Sequence, residues 1–402
     1  MGQTKHAKQA TRSYDIIRSE AEFRALQYEW EALWLKAHGF YYQSFSYCWL
    51  AWQQVAKPHG RHLRCIVCRE NGRVVMIWPL VMSRRALWTY LVPLSPEGGD
   101  YSSVLVAEGD AAPALIEGAW QAARRGCGAD FIHLPYLRER LHLYALVARE
   151  PHVLRAEAHE SYVAKLRDET DWDQYCSTLG KLSGKRPGAF AHRLAREGKV
   201  ATRIVDPADK AKTAAIIDWM LTCKREWGDR VGKHGEWLNS VEFRNFLVHL
   251  ICPDDVPSMA RLIVVTLDEA PVAAMVAGIG NPCASAVIAG FDAHYGKCRP
   301  GLIAVEACVK WAFENRFDID FGVGSERFKS YWGRDNVSTA WTMQIVSSPW
   351  GLCAVRARSL ALKLVTYARQ WRRFSSAPKL PSGATASQSG AHGNQAPQHL
   401  SV

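Results

Sequence analysis

One order of elements occurs twice in this chain, and that duplication constrains the fold more than any single motif does. In the first half, residues 62–69 read as a strand, Glu70-Asn71-Gly72 as a turn and 73–82 as the return strand of a hairpin. A strand near 87–91 follows, then Gly98-Gly99-Asp100-Tyr101, an amphipathic helix over 112–125, and the short strand Ala129-Asp130-Phe131-Ile132-His133-Leu134. In the second half, strand 260–267, turn Asp268-Glu269-Ala270 and return strand 271–279 lead to strand 284–289, Gly290-Phe291-Asp292, a helix over 301–315 and the strand Phe317-Asp318-Ile319-Asp320-Phe321. Repetition of one α/β unit predicts two related halves of mixed sheet and helix, with a boundary near residue 170.

Between the halves, 162–166 resembles a strand, 172–197 a helix broken at 184–188 around Pro187, and 200–205 a short β-branched strand. Helices over 210–227 and 241–251 precede the second hairpin. At 402 residues and 48% apolar, the chain is long enough for two cores of ordinary size. The expected division is a disordered 1–12, a first domain over 13–170, a second over 171–350, a basic helix over 351–374, and a disordered tail rich in Ser, Gly, Ala, Pro and Gln over 375–402.

No run of about 18 uncharged apolar residues is present, and residues 1–12 have no apolar stretch of signal-peptide type, so a cytoplasmic location is expected. Eleven cysteines without regular spacing read as reduced thiols. Cys65 and Cys68 lie three apart in an extended segment and face opposite ways, and no second pair completes a tetrahedral set, so no metal is expected.

The net charge of +11 is concentrated. Residues 181–203 hold seven Lys or Arg against one acid, and Ala354–Phe374 holds six and none, which leaves the rest close to neutral. Arg193, Arg196, Lys199 and Arg203 either line a path for an anionic acceptor or form a solvated helix face. Ala354–Phe374 interleaves its charges with Leu360, Leu364, Tyr367 and Trp371; it suits a helix lying on an anionic inner-membrane surface, or one packed on the core with its charges outward.

Two segments carry chemistry. Arg299-Pro300-Gly301-Leu302-Ile303-Ala304 opens a helix directly after a strand. The unpaired N–H groups and positive dipole end of a helix start can hold a phosphate, and Gly301 admits a ligand close to the backbone. The same residues also make an ordinary Pro-initiated helix. In 318–333, Asp318 and Asp320 alternate with Ile319 and Phe321, Gly322 and Gly324 free the backbone to turn, and Glu326 and Lys329 stand among Phe328, Tyr331 and Trp332. That pair is either a structural ion pair or part of a site.

The run Asp320-Phe321-Gly322-Val323-Gly324-Ser325-Glu326-Arg327-Phe328-Lys329, with the Arg-Pro-Gly helix start and Phe291-Asp292 before it, resembles the acetyltransferase domain of the CelD/BcsL cellulose-biosynthesis family, which has the GNAT fold. Phe328-Lys329-Ser330-Tyr331-Trp332-Gly333 is also similar to the Phe-Lys-x-x-Phe-Gly signature of the Fem peptidyltransferases, with Trp332 in place of the second Phe; those ligases consist of two GNAT halves. The resemblance implies a tandem GNAT fold and transfer of an acyl group from acetyl-CoA or another acyl-CoA to an amine or hydroxyl of a small-molecule or glycan acceptor, in exopolysaccharide or envelope synthesis. A charged tRNA as donor, or a catalytically silent scaffold, are the alternatives; DNA is not an expected partner. By the same resemblance Arg299, Gly301, Leu302 and Ile303 hold the donor, although they depart from the usual Arg/Gln-x-x-Gly-x-Gly/Ala loop. Candidates for the chemistry are Asp292 or Glu326 as base, with His294 beside them, Lys329 as an electrostatic contact, and Tyr331 or Tyr295 as acid.

Overall fold

The structure, a computed structural model, describes residues 12–96, 100–109, 111–232 and 235–357. Expectations for 1–11 and for 358–402, including most of the basic segment and the whole tail, lie outside the described residues. The chain divides into two compact units, 1–352 and 353–402.

In the first half, β1 (Arg12–Ile17) leads into helices α1 (Glu20–Ala25), α2 (Gln27–Lys36) and α3 (Phe45–Ala51). The expected hairpin then forms between β3 (Cys65–Glu70) and β4 (Arg73–Trp78), while β2 (His62–Leu63) ahead of it lies in a different sheet. The return strand is not one piece, however. Pro79 has no N–H to give a ladder, and beyond it β5 (Leu80–Arg85) enters a different sheet. Then come β6 (Trp88–Pro93), β7 (Leu105–Val106), α4 (Ala112–Gly126), β8 (Phe131–Arg138), α5 (His142–Val147) and β9 (Val153–Ala164).

The second half has α6 (Trp172–Thr178) and α7 (Ala189–Leu194) where one broken helix was expected, then β10 (Val200–Ile204), α8 (Lys210–Val231) and α9 (Val241–Ile251). Asp209 caps α8 by accepting from Lys212 N at 2.9 Å, Gly232 ends it at φ 66°, and Ser240 caps α9. Strands β11 (Ala260–Leu267), β12 (Ala270–Gly278) and β13 (Cys283–Phe291) precede α10 (Pro300–Glu314), β14 (Asp318–Val323), α11 (Arg327–Gly333) and β15 (Val337–Val346).

Four strands form a sheet in the order β1-β3-β4-β7, and eleven form another: β10-β11-β12-β13-β14-β9-β15-β8-β6-β5-β2. Burial follows the two-residue period of a strand. Leu262 and Val264 of β11 point into a core with Ile217 and Met220 of α8 and Phe246 and Leu247 of α9, whereas Ile263 and Val265 point into a core with Ile303, Cys308 and Val309 of α10. Cys65 and Cys68 divide in the same way, one in the first core and one in a third core under α4.

Each half contains one parallel strand pair that opens. In the first half, β6 and β8 pair only at Tyr90–Phe131 and Leu91–Ile132. The chain fills the gap beyond: Ser102 donates from N and Oγ to the Pro135 carbonyl at 3.0 and 2.6 Å. In the second half, β13 and β14 pair over Cys283–Ser285 and Asp318–Asp320 and then part, and a cavity lies there instead.

Candidate active site

The divergence of β13 from β14 creates the site. Past Ser285 the β14-facing edge of β13 has no strand partner, so its backbone groups are available to a ligand. A bulge falls at this point: Val276 pairs with Ile288 and Ala277 with Ala286, which leaves Val287 as the extra residue. The adjoining cavity has a volume of about 1020 Å³. Its walls are Ala286–Phe291 of β13, the start of α10, α8 at Cys223, Lys224 and Trp227, the Phe321–Lys329 segment, and Lys185, Phe190 and Arg193.

Charge distinguishes this cavity. Among the described residues, Lys185, Arg193, Lys224, Lys297, Arg299 and Lys329 line it against one carboxylate, Glu326. The chain enters α10 through Arg299 in the left-handed region, φ 55°, and no side chain caps the first turn. A Cβ on Gly301 would stand 2.9 Å from Phe291 Cδ1, so a side chain here would disturb the cavity wall. A helix start in a cavity lined by six cations, together with a free strand edge and the side chains of Trp227, Trp237 and Phe291, suits a ligand that carries both phosphates and a carbonyl.

The sequence candidates divide into two groups. Arg299, Gly301, Leu302, Glu326 and Lys329 meet at the cavity. Lys329 is buried, donating from Nζ to the Val323 carbonyl at 2.5 Å and pairing with Glu326 Oε2 at 3.0 Å. Ile303 faces away, into the core between α10 and the sheet. Asp292 follows β13 and accepts from His294 N at 2.8 Å, capping the turn that precedes α10; His294 and Tyr295 stack edge to face beside it, outside the cavity lining. Tyr331 also lies outside the lining: it donates to the Gly180 carbonyl at 3.2 Å, and burial pushes its pKa up to about 12. Of the basic helix face, Arg193 reaches the cavity, while Arg203 pairs with Glu269 at 2.6 Å.

Residues from elsewhere complete the surroundings. Asp320, on β14 just where the strands part, accepts from Tyr101 Oη at 3.0 Å, from Gly322 N at 2.8 Å and from Arg138. Burial works against the Arg138 charge, and Asp320 with the Tyr42 and Tyr101 hydroxyls holds its pKa above the ordinary value. Lys185, Lys224 and Trp227 had no place in the sequence reading of the site. The available signal was the helical spacing of Lys224 and Trp227, which puts the ammonium 4.3 Å from the ring centre.

Residues 188–330 match the model of the acetyltransferase (GNAT) domain. The chain carries a GNAT acetyltransferase domain. The match ends at Ser330 and so spans α7 to α11, the elements that enclose the cavity. FemX, a solved structure, is similar over 84% of this chain and 98% of its own, with a TM-score of 0.53 at 13% identity. A conserved protein of unknown function from Bacteroides thetaiotaomicron is similar over 82% and 100%, with a TM-score of 0.50 at 12% identity. At these identities the likeness shows the fold, which extends beyond the matched domain to both halves. No curated protein matches the chain in sequence. Among the described residues, no helix is long and apolar enough to cross a membrane, and no group of His, Cys, Asp or Glu is arranged to hold a metal ion.

Proposed function

We propose that this GNAT-type acyltransferase takes its acyl group from an acyl-CoA held in the cationic cavity and passes it to an amine or hydroxyl acceptor. The observation that carries this reading is the opening between β13 and β14, where the start of α10, six cations and the unpaired edge of β13 line one cavity. Phosphates would meet Lys185, Arg193, Lys224, Lys297, Arg299 and the α10 backbone, and the thioester carbonyl would lie along Ala286–Ile288. Lys329 then adds positive charge near the reacting end, held in place by the Val323 carbonyl and Glu326. In the transfer, the acceptor's nitrogen or oxygen forms a bond to the acyl carbon, the carbon–sulfur bond breaks, and a proton passes from the acceptor to the departing sulfur. A role in exopolysaccharide or envelope synthesis is supported by the resemblance of 318–333.

Calorimetric titration with acetyl-CoA tests the reading. Binding that weakens with added salt is expected, because the cavity's contacts are ionic. Absence of heat at about 1 mM ligand would overturn it. A charged tRNA is a second reading, carried by the α11 segment Phe328-Lys329-Ser330-Tyr331-Trp332-Gly333; tRNA binding with no binding of acetyl-CoA would favour it.

A further inference from the structure

The eleven-stranded sheet has a free edge in its interior, away from the cavity. Strand β14 accompanies β9 only over Ser161–Ala164, and Gly324 N then donates to the Glu160 carbonyl at 3.0 Å as the chain turns away. Because β9 begins at Val153, its first half has β15 on one side and, among the described residues, no strand on the other. Residues 154–158 are exposed throughout. The bond from Gly324 also fixes which backbone groups face outward. The Glu160 carbonyl points away from β15, and the two-residue period of a strand turns the N–H and carbonyl groups of Ala158 and Ala156 the same way.

Edges of this kind are usually blunted by Lys, Pro, an inward charge or a bulge. Here a bulge bends the start of the strand, where Gln344 pairs with Arg155 and Ile345 with Val153, but the stretch beyond it is regular. Its only charges are Arg155 and Glu157, which share one face, pair with one another and are each about half exposed. An Arg and a Glu flanking a central alanine complement themselves when the strand runs antiparallel to its own copy. With Ala156 opposite its counterpart, Arg155 meets the partner's Glu157 and Glu157 meets the partner's Arg155. Both pairs then fall at positions without backbone bonds, where opposed side chains are closest. A register centred on Arg155 or Glu157 would set like charges against each other, and one centred on Leu154 or Ala158 would part Arg from Glu.

We infer that β9 is the contact strand of a two-fold homodimer, in which two copies pair antiparallel about Ala156 and the sheet of one protomer runs on into that of its partner. The outward groups of Ala156 supply the central pair of hydrogen bonds, and the Arg–Glu pairs on either side fix the register. Self-complementarity is what singles out a second copy as the occupant of the edge. A ladder of about five residues is a small interface, so the dimer is a reversible one.

Sedimentation equilibrium on the full chain at up to about 100 μM tests this. A monomer–dimer equilibrium is expected, weakened about tenfold or more in Arg155→Glu and in Glu157→Arg, each of which opposes like charges. Mixed in equal amounts, these two variants should associate with one another as tightly as the parent does with itself, since each supplies the sign that the other lacks. Ala156→Pro removes an outward N–H and no bond to β15, so it should abolish association with thermal unfolding little changed. A chain that stays monomeric over the whole range overturns the inference. So does a dimer that survives either reversal or Ala156→Pro, or a pair of reversals that mixing does not rescue. Arg155 and Glu157 are exposed, so the mixing experiment decides the matter alone should Ala156→Pro fail to fold.

Discussion

Lys329 is a buried ammonium whose described contacts are one carbonyl and one half-exposed carboxylate, so its charge is still available to a ligand in the cavity. Lys329→Met keeps the length and removes the charge; kcat is expected to fall by about 10²–10³, as when one electrostatic contact to a developing oxyanion is removed. The lost bond to Val323 costs about 1–3 kcal/mol, which thermal unfolding would register separately. A variant with full turnover would remove Lys329 from the site. Asp100 supports a prediction of the opposite sign. Burial raises its pKa, and the Tyr41, Tyr47 and Ser95 hydroxyls offset part of the rise. Between an unfolded value of about 3.9 and the raised folded one, the native chain binds more protons than the unfolded chain, so stability falls as pH rises through that window. Asp100→Asn is therefore expected to unfold at a temperature equal to or above that of the parent at about pH 8, with the advantage shrinking as pH falls toward the unfolded value of about 3.9. A variant less stable by the same margin at both pH values would contradict this. Lys329 and Glu326 were legible in sequence because three-residue spacing and the Phe-Lys run mark them together. Tyr41, Tyr47 and Asp100 were not, since they meet across 53 to 59 residues of chain and each tyrosine alone reads as core.

Elements were more legible than side chains wherever their burial is periodic. Strands β11 to β14 and helices α9 and α10 appear within a few residues of their expected bounds, because two buried faces or one apolar stripe leave a strong pattern. The expected strand 162–166 is the end of β9, which begins at Val153; residues 154–158 are exposed, so no apolar alternation announces them. Packing of α8 across β13 depends on a feature with no periodicity at all. A Cβ on Gly290 would stand 2.4 Å from the Met220 carbonyl oxygen, which is backbone and cannot swing aside. Gly290→Ala is expected to cost about 1–3 kcal/mol, seen as a lowered denaturation midpoint. Because β13 carries one wall of the cavity, the same substitution should weaken acetyl-CoA binding. Unchanged stability would show that α8 can lift without loss.

Across the whole described fold, the two halves exchange their last strands: β9 lies between β14 and β15, and β15 between β9 and β8. The duplication was readable from the order of elements, but the exchange was not, since nothing within a strand states which sheet it will join. Charge spans the same seam. Arg138 at the end of β8 lies over the Phe40 and Tyr101 rings at 4.6 and 4.1 Å and pairs with Asp320 of β14, whose side chain is 2% exposed. Removing one member of such a pair leaves the other charged and dry, so Arg138→Met is expected to cost about 3–5 kcal/mol. Strands shared in this way tie both halves into the one eleven-stranded sheet, so residues 12–352 should unfold together, in one calorimetric transition whose enthalpy matches the van't Hoff value. Arg138→Met would then shift that single transition downward without dividing it. Were the halves independent, the substitution would instead divide the trace into two, one for each set of helices and strands.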